Sequence, residues 1–126
     1  LVMASVHRFP EEKGEIMHTQ GNFSTDQAIM MEYELASAAI ENPDVDIIGH
    51  PFGMTLKRFK ATPPWDLFAK LIKKAKKFDK VIEVNFHYHN NYKQIIDECL
   101  KNGTLISFGS NAHSTNELGQ ISQFKI

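Results

Sequence analysis

Val45-Asp46-Ile47-Ile48-Gly49-His50-Pro51 reads as a short apolar strand that runs straight into a Gly-His-Pro turn. What flanks it decides the fold class. Upstream, Ser24 opens a helix: its hydroxyl can cap the first turn, and Gln27 completes a capping box. Ile29, Tyr33, Ala36 and Ile40 share one helical face, and Asn42-Pro43 ends the helix before the strand begins. Downstream, 52–62 reads as a loop, and Pro63-Pro64 then leads into a helix over 65–78. Its Trp65, Phe68, Leu71, Ile72 and Ala75 face inward while its lysines face water.

The alternation continues to the end of the chain. A strand is expected over 81–86, and then a polar loop over 87–91. A helix over 92–102 should bury Ile95, Ile96, Cys99 and Leu100, with Gly103 as its C-cap. Thr104 to Phe108 is a last apolar strand. At the other end, Leu1 to Val6 reads as a buried strand followed by an irregular, polar loop over 7–23. Strands alternating with helices argue for right-handed crossovers, and so for an α/β fold with a parallel sheet or part of a barrel. Chains seldom begin inside a core strand, so further sequence upstream of Leu1 is expected.

With 126 residues, one domain is the natural count. A composition of 42% hydrophobic and 23% charged residues is that of a globular chain. The formal net charge of −1 argues against a general attraction to nucleic acid or an anionic membrane. Lys70, Lys73, Lys74, Lys76 and Lys77 read as a solvated helix face. Cys99, the single cysteine, excludes an internal disulfide and reads as a packed thiol. No run is long enough to span a bilayer, and the N-terminus lacks the basic region of a secretory signal, so a cytoplasmic protein is expected.

The chemistry collects at strand ends. His7, His50 and His113 each come just after an expected strand, where parallel α/β folds place their active rim. Neutral imidazole is the commonest side-chain metal ligand, and three rings from separate strands could converge there. Isolated histidines are more often surface or packed residues, and periodicity alone leaves that alternative open. His87 and His89 have the spacing of a chelate or a substrate contact, but a surface loop is the plainer reading. His18 has no identifiable partner in the sequence.

The residues themselves resemble the polymerase and histidinol phosphatase (PHP) family of metal-dependent phosphoesterases. Asp46 to Pro51 resembles its strand ending in Gly-His-Pro, and Gly109-Ser110-Asn111-Ala112-His113 resembles its Gly-Ser-Asp-Ala-His motif. Ser5-Val6-His7 resembles the Ser-Val-His of its histidinol-phosphatase branch. Glu83-Val84-Asn85 resembles a Glu-x-Asn strand, and Leu118-Gly119 a Leu-Gly that follows the last motif. The resemblance implies a distorted (β/α)7 barrel of the TIM type, with two or three divalent transition metals (zinc, manganese or iron) at the strand ends. By it, His7 and His50 ligate a common metal, Asn111 stands at a second and His113 reaches a third. Arg8 is a candidate clamp for a phosphate oxygen, with a solvated or structural role as its alternative.

There are two departures from the pattern. No His-x-His motif and no bridging glutamate from the first half of the family's barrel are found. Asn111 replaces an aspartate, so a neutral amide stands where the pattern has a charge. The expected function is hydrolysis of a small phosphate monoester, with the missing half supplying ligands. The alternative is a catalytically incomplete module that binds metal weakly or serves as scaffold or partner. A polymerase-associated exonuclease role fits poorly with the charge and with the lack of interleaved basic and aromatic residues. A half-barrel leaves two sheet edges open, so self-association is also expected.

Overall fold

Ser24 starts the first helix as its sequence requires: its hydroxyl accepts the Gln27 N–H at 3.2 Å, and the Gln27 side chain accepts the Ser24 N–H at 2.9 Å. In the computed structural model, which describes residues 1–7, 9–10, 16–17 and 24–109, that helix is one of four. The described elements, in chain order, are β1 (Met3–Ser5), β2 (Phe9–Pro10), β3 (Ile16–Met17), α1 (Thr25–Glu41) and β4 (Ile47–Gly49). Then follow α2 (Gly53–Lys57), α3 (Trp65–Lys77), β5 (Val81–Asn85), α4 (Tyr92–Asn102) and β6 (Ile106–Gly109).

The sheet order is β1-β4-β5-β6 and every pairing is parallel. Ala4, Ile48, Ile82 and Ile106 form one row across it and pack into the hydrophobic core. Successive residues of a strand point to opposite faces, so Ser5, Gly49, Glu83 and Ser107 form the next row on the other face. The core is centred on Phe52, Phe68, Leu71, Ile72, Ile82, Val84 and Ile95, all fully buried. Aromatic contacts fix its middle: Phe68 lies 5.1 Å from Phe52, tilted against it, and is stacked 5.4 Å from Trp65 between ring centroids. Gly103 closes α4 at φ 71°, a left-handed cap for which glycine is the natural residue.

Four expectations change. Leu1 to Val6 was expected as a buried strand, but only Met3–Ser5 form β1, and Leu1, Val2 and Met3 are exposed. The stretch 7–23 was expected to be irregular, yet it contributes the antiparallel pair β2–β3. The stretch 52–62, expected as a loop, contains α2; Phe52 at its N-cap has no side-chain hydrogen-bonding atom, so no start signal was visible. Leu100 is 70% exposed although it was expected inside. It lies about 90° around the helix from the centre of the face formed by Ile95, Ile96 and Cys99, at the rim of the apolar stripe. Among the described residues no helix is long and apolar enough to cross a membrane.

Candidate functional site

The carboxyl ends of β1 and β4 bring His7 and His50 together, their ring centroids 4.8 Å apart and their planes at 70°. His50 adopts φ 23°, an uncommon conformation for a residue with a side chain, and its backbone N–H donates to Glu83 Oε1 at 2.9 Å. The ring stacks on Tyr88 at 4.1 Å. Its Nδ1 is buried without a hydrogen-bond partner, which is rare for a polar atom. Gly53 makes room for that atom, since a Cβ there would stand 2.7 Å from it. Burial, and then the neighbouring His7 charge, push the His50 pKa down to about 4, so the ring is neutral at physiological pH.

Glu83 adds a carboxylate to the same rim. A Cβ on Gly109 would stand 2.4 Å from Glu83 Oε2, so glycine at the end of β6 is what lets this side chain lie across the strand. Asn85 Nδ2 donates to Glu83 Oε1 at 3.4 Å. From the other side, α2 and its C-cap residue bring two cations: Arg58 donates to the His7 carbonyl at 3.3 Å, and Lys57 donates to the His87 carbonyl at 3.4 Å. A cavity of about 480 Å³ opens beside His7, between β1 and α1.

His89 has neither of the roles expected for it. It is 1% exposed, and both ring nitrogens are engaged. Nδ1 accepts the Asn85 N–H at 3.0 Å, so the proton resides on Nε2, which donates to the Pro51 carbonyl at 2.9 Å. Burial pushes its pKa down to about 4. His89 is thus a brace between the turns after β4 and β5, not a chelate partner of His87. Cys99 is fully buried, its thiol pushed up to about 12 by burial, which suits packing rather than nucleophilic chemistry.

Of the residues expected to form the site, His7 and His50 adjoin one another; Arg8, Asn111 and His113 lie outside the described residues, as does His18. Among the described residues no group of three or more His, Cys, Asp or Glu side chains is placed to hold a metal ion. Glu83, Tyr88 and Arg58 were not singled out for the site. Glu83 carried a signal all the same: a charge between Ile82 and Val84 in a strand buried on both faces needs partners.

A second buried carboxyl, Glu32 on α1, makes stability depend on pH. Burial raises its pKa to about 7 against three lowering hydrogen bonds from Thr55 and Met54. A raised carboxyl gives stability that is complete below 4.5 and lost as the pH rises through 7. The lowered His50 and His89 act oppositely: their contribution is present above 6.5 and lost as the pH falls through 4. Where the two windows overlap, the unfolded chain binds two imidazole protons against the one that the folded chain keeps on Glu32, a net extra proton. Metal-free protein should therefore gain about 1.4 kcal/mol of stability per pH unit between pH 4.5 and 6.5. Urea unfolding across that range measures the slope, and Glu32→Gln should roughly double it; a flat or falling profile contradicts the assignment.

A 90-residue stretch of the chain is 32% identical to a protein of Acetivibrio thermocellus named as a probable phosphatase, covering 65% of this chain and 34% of that protein. The chain therefore spans about a third of the length of the curated relative it matches. No family model and no solved structure matches.

Proposed function

We propose that the protein belongs to a metal-dependent phosphatase of the PHP type, its parallel sheet forming part of a (β/α)7 barrel, and acts on a small phosphate monoester. The observation that supports this best is the His7–His50 pair: two imidazoles from adjacent parallel strands, one with a buried and unpartnered Nδ1 beside a glycine. These features fit a metal ligand, because a neutral ring nitrogen without a hydrogen bond is an available electron-pair donor. In this reading His7 and His50 hold one divalent ion, Asn111 a second and His113 a third. Such ions, when bound, lower the pKa of a coordinated water and neutralise phosphate charge.

The chain's own residues supply the rest. Glu83 holds the His50 backbone, and Tyr88 holds its ring plane. The Arg58 guanidinium, next to His7, binds and orients phosphate oxygens through planar paired donors, with Arg8 as a further candidate. The name of the relative, a probable phosphatase, agrees with the reading.

A second reading, a catalytically incomplete PHP module, rests on Asn111, whose neutral amide stands where the family pattern has an aspartate. One experiment separates them. The 126-residue chain with manganese or zinc should hydrolyse p-nitrophenyl phosphate poorly or not at all, because ligands adjacent to the bound metal cannot be replaced by outlying contacts. A longer form that restores a His-x-His segment upstream should be active. Absence of turnover in that form as well would leave only the binding module.

A further inference from the structure

The short helix α2 begins without a cap of its own, since Phe52 at its N-cap, in the left-handed region at φ 61°, makes no side-chain hydrogen bond. Backbone N–H groups in a first helical turn need acceptors from elsewhere. Gly53 N–H finds the His50 carbonyl at 2.9 Å. The next two are taken by a side chain from another helix: Glu32 Oε2 accepts the Met54 N–H at 3.3 Å, and Oε1 accepts the Thr55 N–H at 2.9 Å and its hydroxyl at 2.8 Å. Glu32 is 1% exposed and Thr55 fully buried, so this junction is dry.

One turn further along, the Arg58 N–H donates to the Met54 carbonyl at 2.8 Å, and the Arg58 guanidinium donates to His7. Glu32 thus stands at the root of a short, continuous hydrogen-bonded path: carboxylate, Met54, Arg58, His7. At the same root, Gly53 lies against the unpartnered nitrogen of His50. A carboxyl group buried only to stabilise the fold would be an expensive choice, because its desolvation must be offset by hydrogen bonds before anything is gained.

We propose that Glu32 is a positioning residue for the rim: by capping α2 from outside, it sets the place of Arg58 beside His7 and so the affinity of the site for phosphate. This rests on the phosphatase reading of the His7–His50 rim. Glu32, whose carboxyl oxygens are held by Met54 and Thr55, acts through Arg58.

The test is a double-mutant cycle on the full chain loaded with cobalt(II), with orthophosphate and cobalt affinities read by calorimetry. Glu32→Gln and Arg58→Lys should each weaken orthophosphate by about tenfold, the lower end of losses seen when supporting contacts are removed. The double variant should be no weaker than about tenfold, because both changes interrupt one path. Cobalt affinity should stay within about twofold in Glu32→Gln. Additive losses near a hundredfold, or an unchanged phosphate affinity, overturn the proposal. If Glu32→Gln does not fold, Thr55→Val removes the hydroxyl partner and should give the same non-additive pattern at smaller size. If the unaltered chain binds no orthophosphate, the phosphatase reading fails at this rim. The positioning role is then read from the Arg58 Nε–H resonance, which Glu32→Gln should shift and the exposed Glu41→Gln should not; an unmoved resonance overturns it.

Discussion

Phe68→Ala is expected to cost about 3–5 kcal/mol of folding stability, the range for deleting a buried phenyl ring. Phe68 is fully buried on α3 and faces Phe52, Trp65 and the edge of His89, whose centroid lies 5.9 Å away. Neighbours on α3 itself and in the turns after β4 and β5 cannot all collapse into the space it leaves, which places the loss high in the range. Against a total of about 5–15 kcal/mol for a domain, little stability would remain. The effect reaches the rim through His89, which holds Pro51 directly after His50. Phe68→Leu should cost clearly less, since most of the volume is kept. Urea unfolding of both variants measures this. A loss below about 1 kcal/mol for Phe68→Ala would show that the core is not centred where these contacts place it.

What the sequence made legible was local. The Ser24–Gln27 capping box, the α3 stripe ending in a lysine face and the Gly103 cap each depend on residues within a turn or two, and each took the expected form. The parallel alternation of strands and helices followed from those elements. What stayed hidden depended on distant partners. The N-terminal cap of α2 comes from Glu32, 22 and 23 positions away, so the segment itself carried no start signal. His89 looked like half of a surface pair because its acceptor, Pro51, is 38 positions away. The same holds at the rim: the spacing of His7 and His50 in sequence says nothing about their adjacency, which only parallel pairing of β1 with β4 creates.

On the phosphatase reading proposed above, His50→Ala should reduce metal-dependent phosphate-monoester turnover by more than about a hundredfold in a form that carries the full ligand set, because even supporting contacts behind a ligand cost about 10–100-fold. The effect has a structural and a chemical part. Structurally, the change spares the hydrogen bond to Glu83, which comes from the backbone of residue 50. It removes the stack on Tyr88 and leaves a void where a ring was 4% exposed. Some stability is therefore lost, and activity has to be compared at a temperature where both proteins are folded. Chemically, His7 is left without its neighbour, and a single imidazole holds a transition metal poorly. His50→Gln separates the two parts. Its side chain fills more of the volume, so stability should recover in part, but an amide is a weak donor to zinc or manganese and turnover should stay low. Steady-state rates and metal content after dialysis would be measured for both variants. If both fold and retain more than a tenth of the parent activity, His50 is not a ligand, and the neutral ring stacked on Tyr88 at the end of β4 serves packing alone.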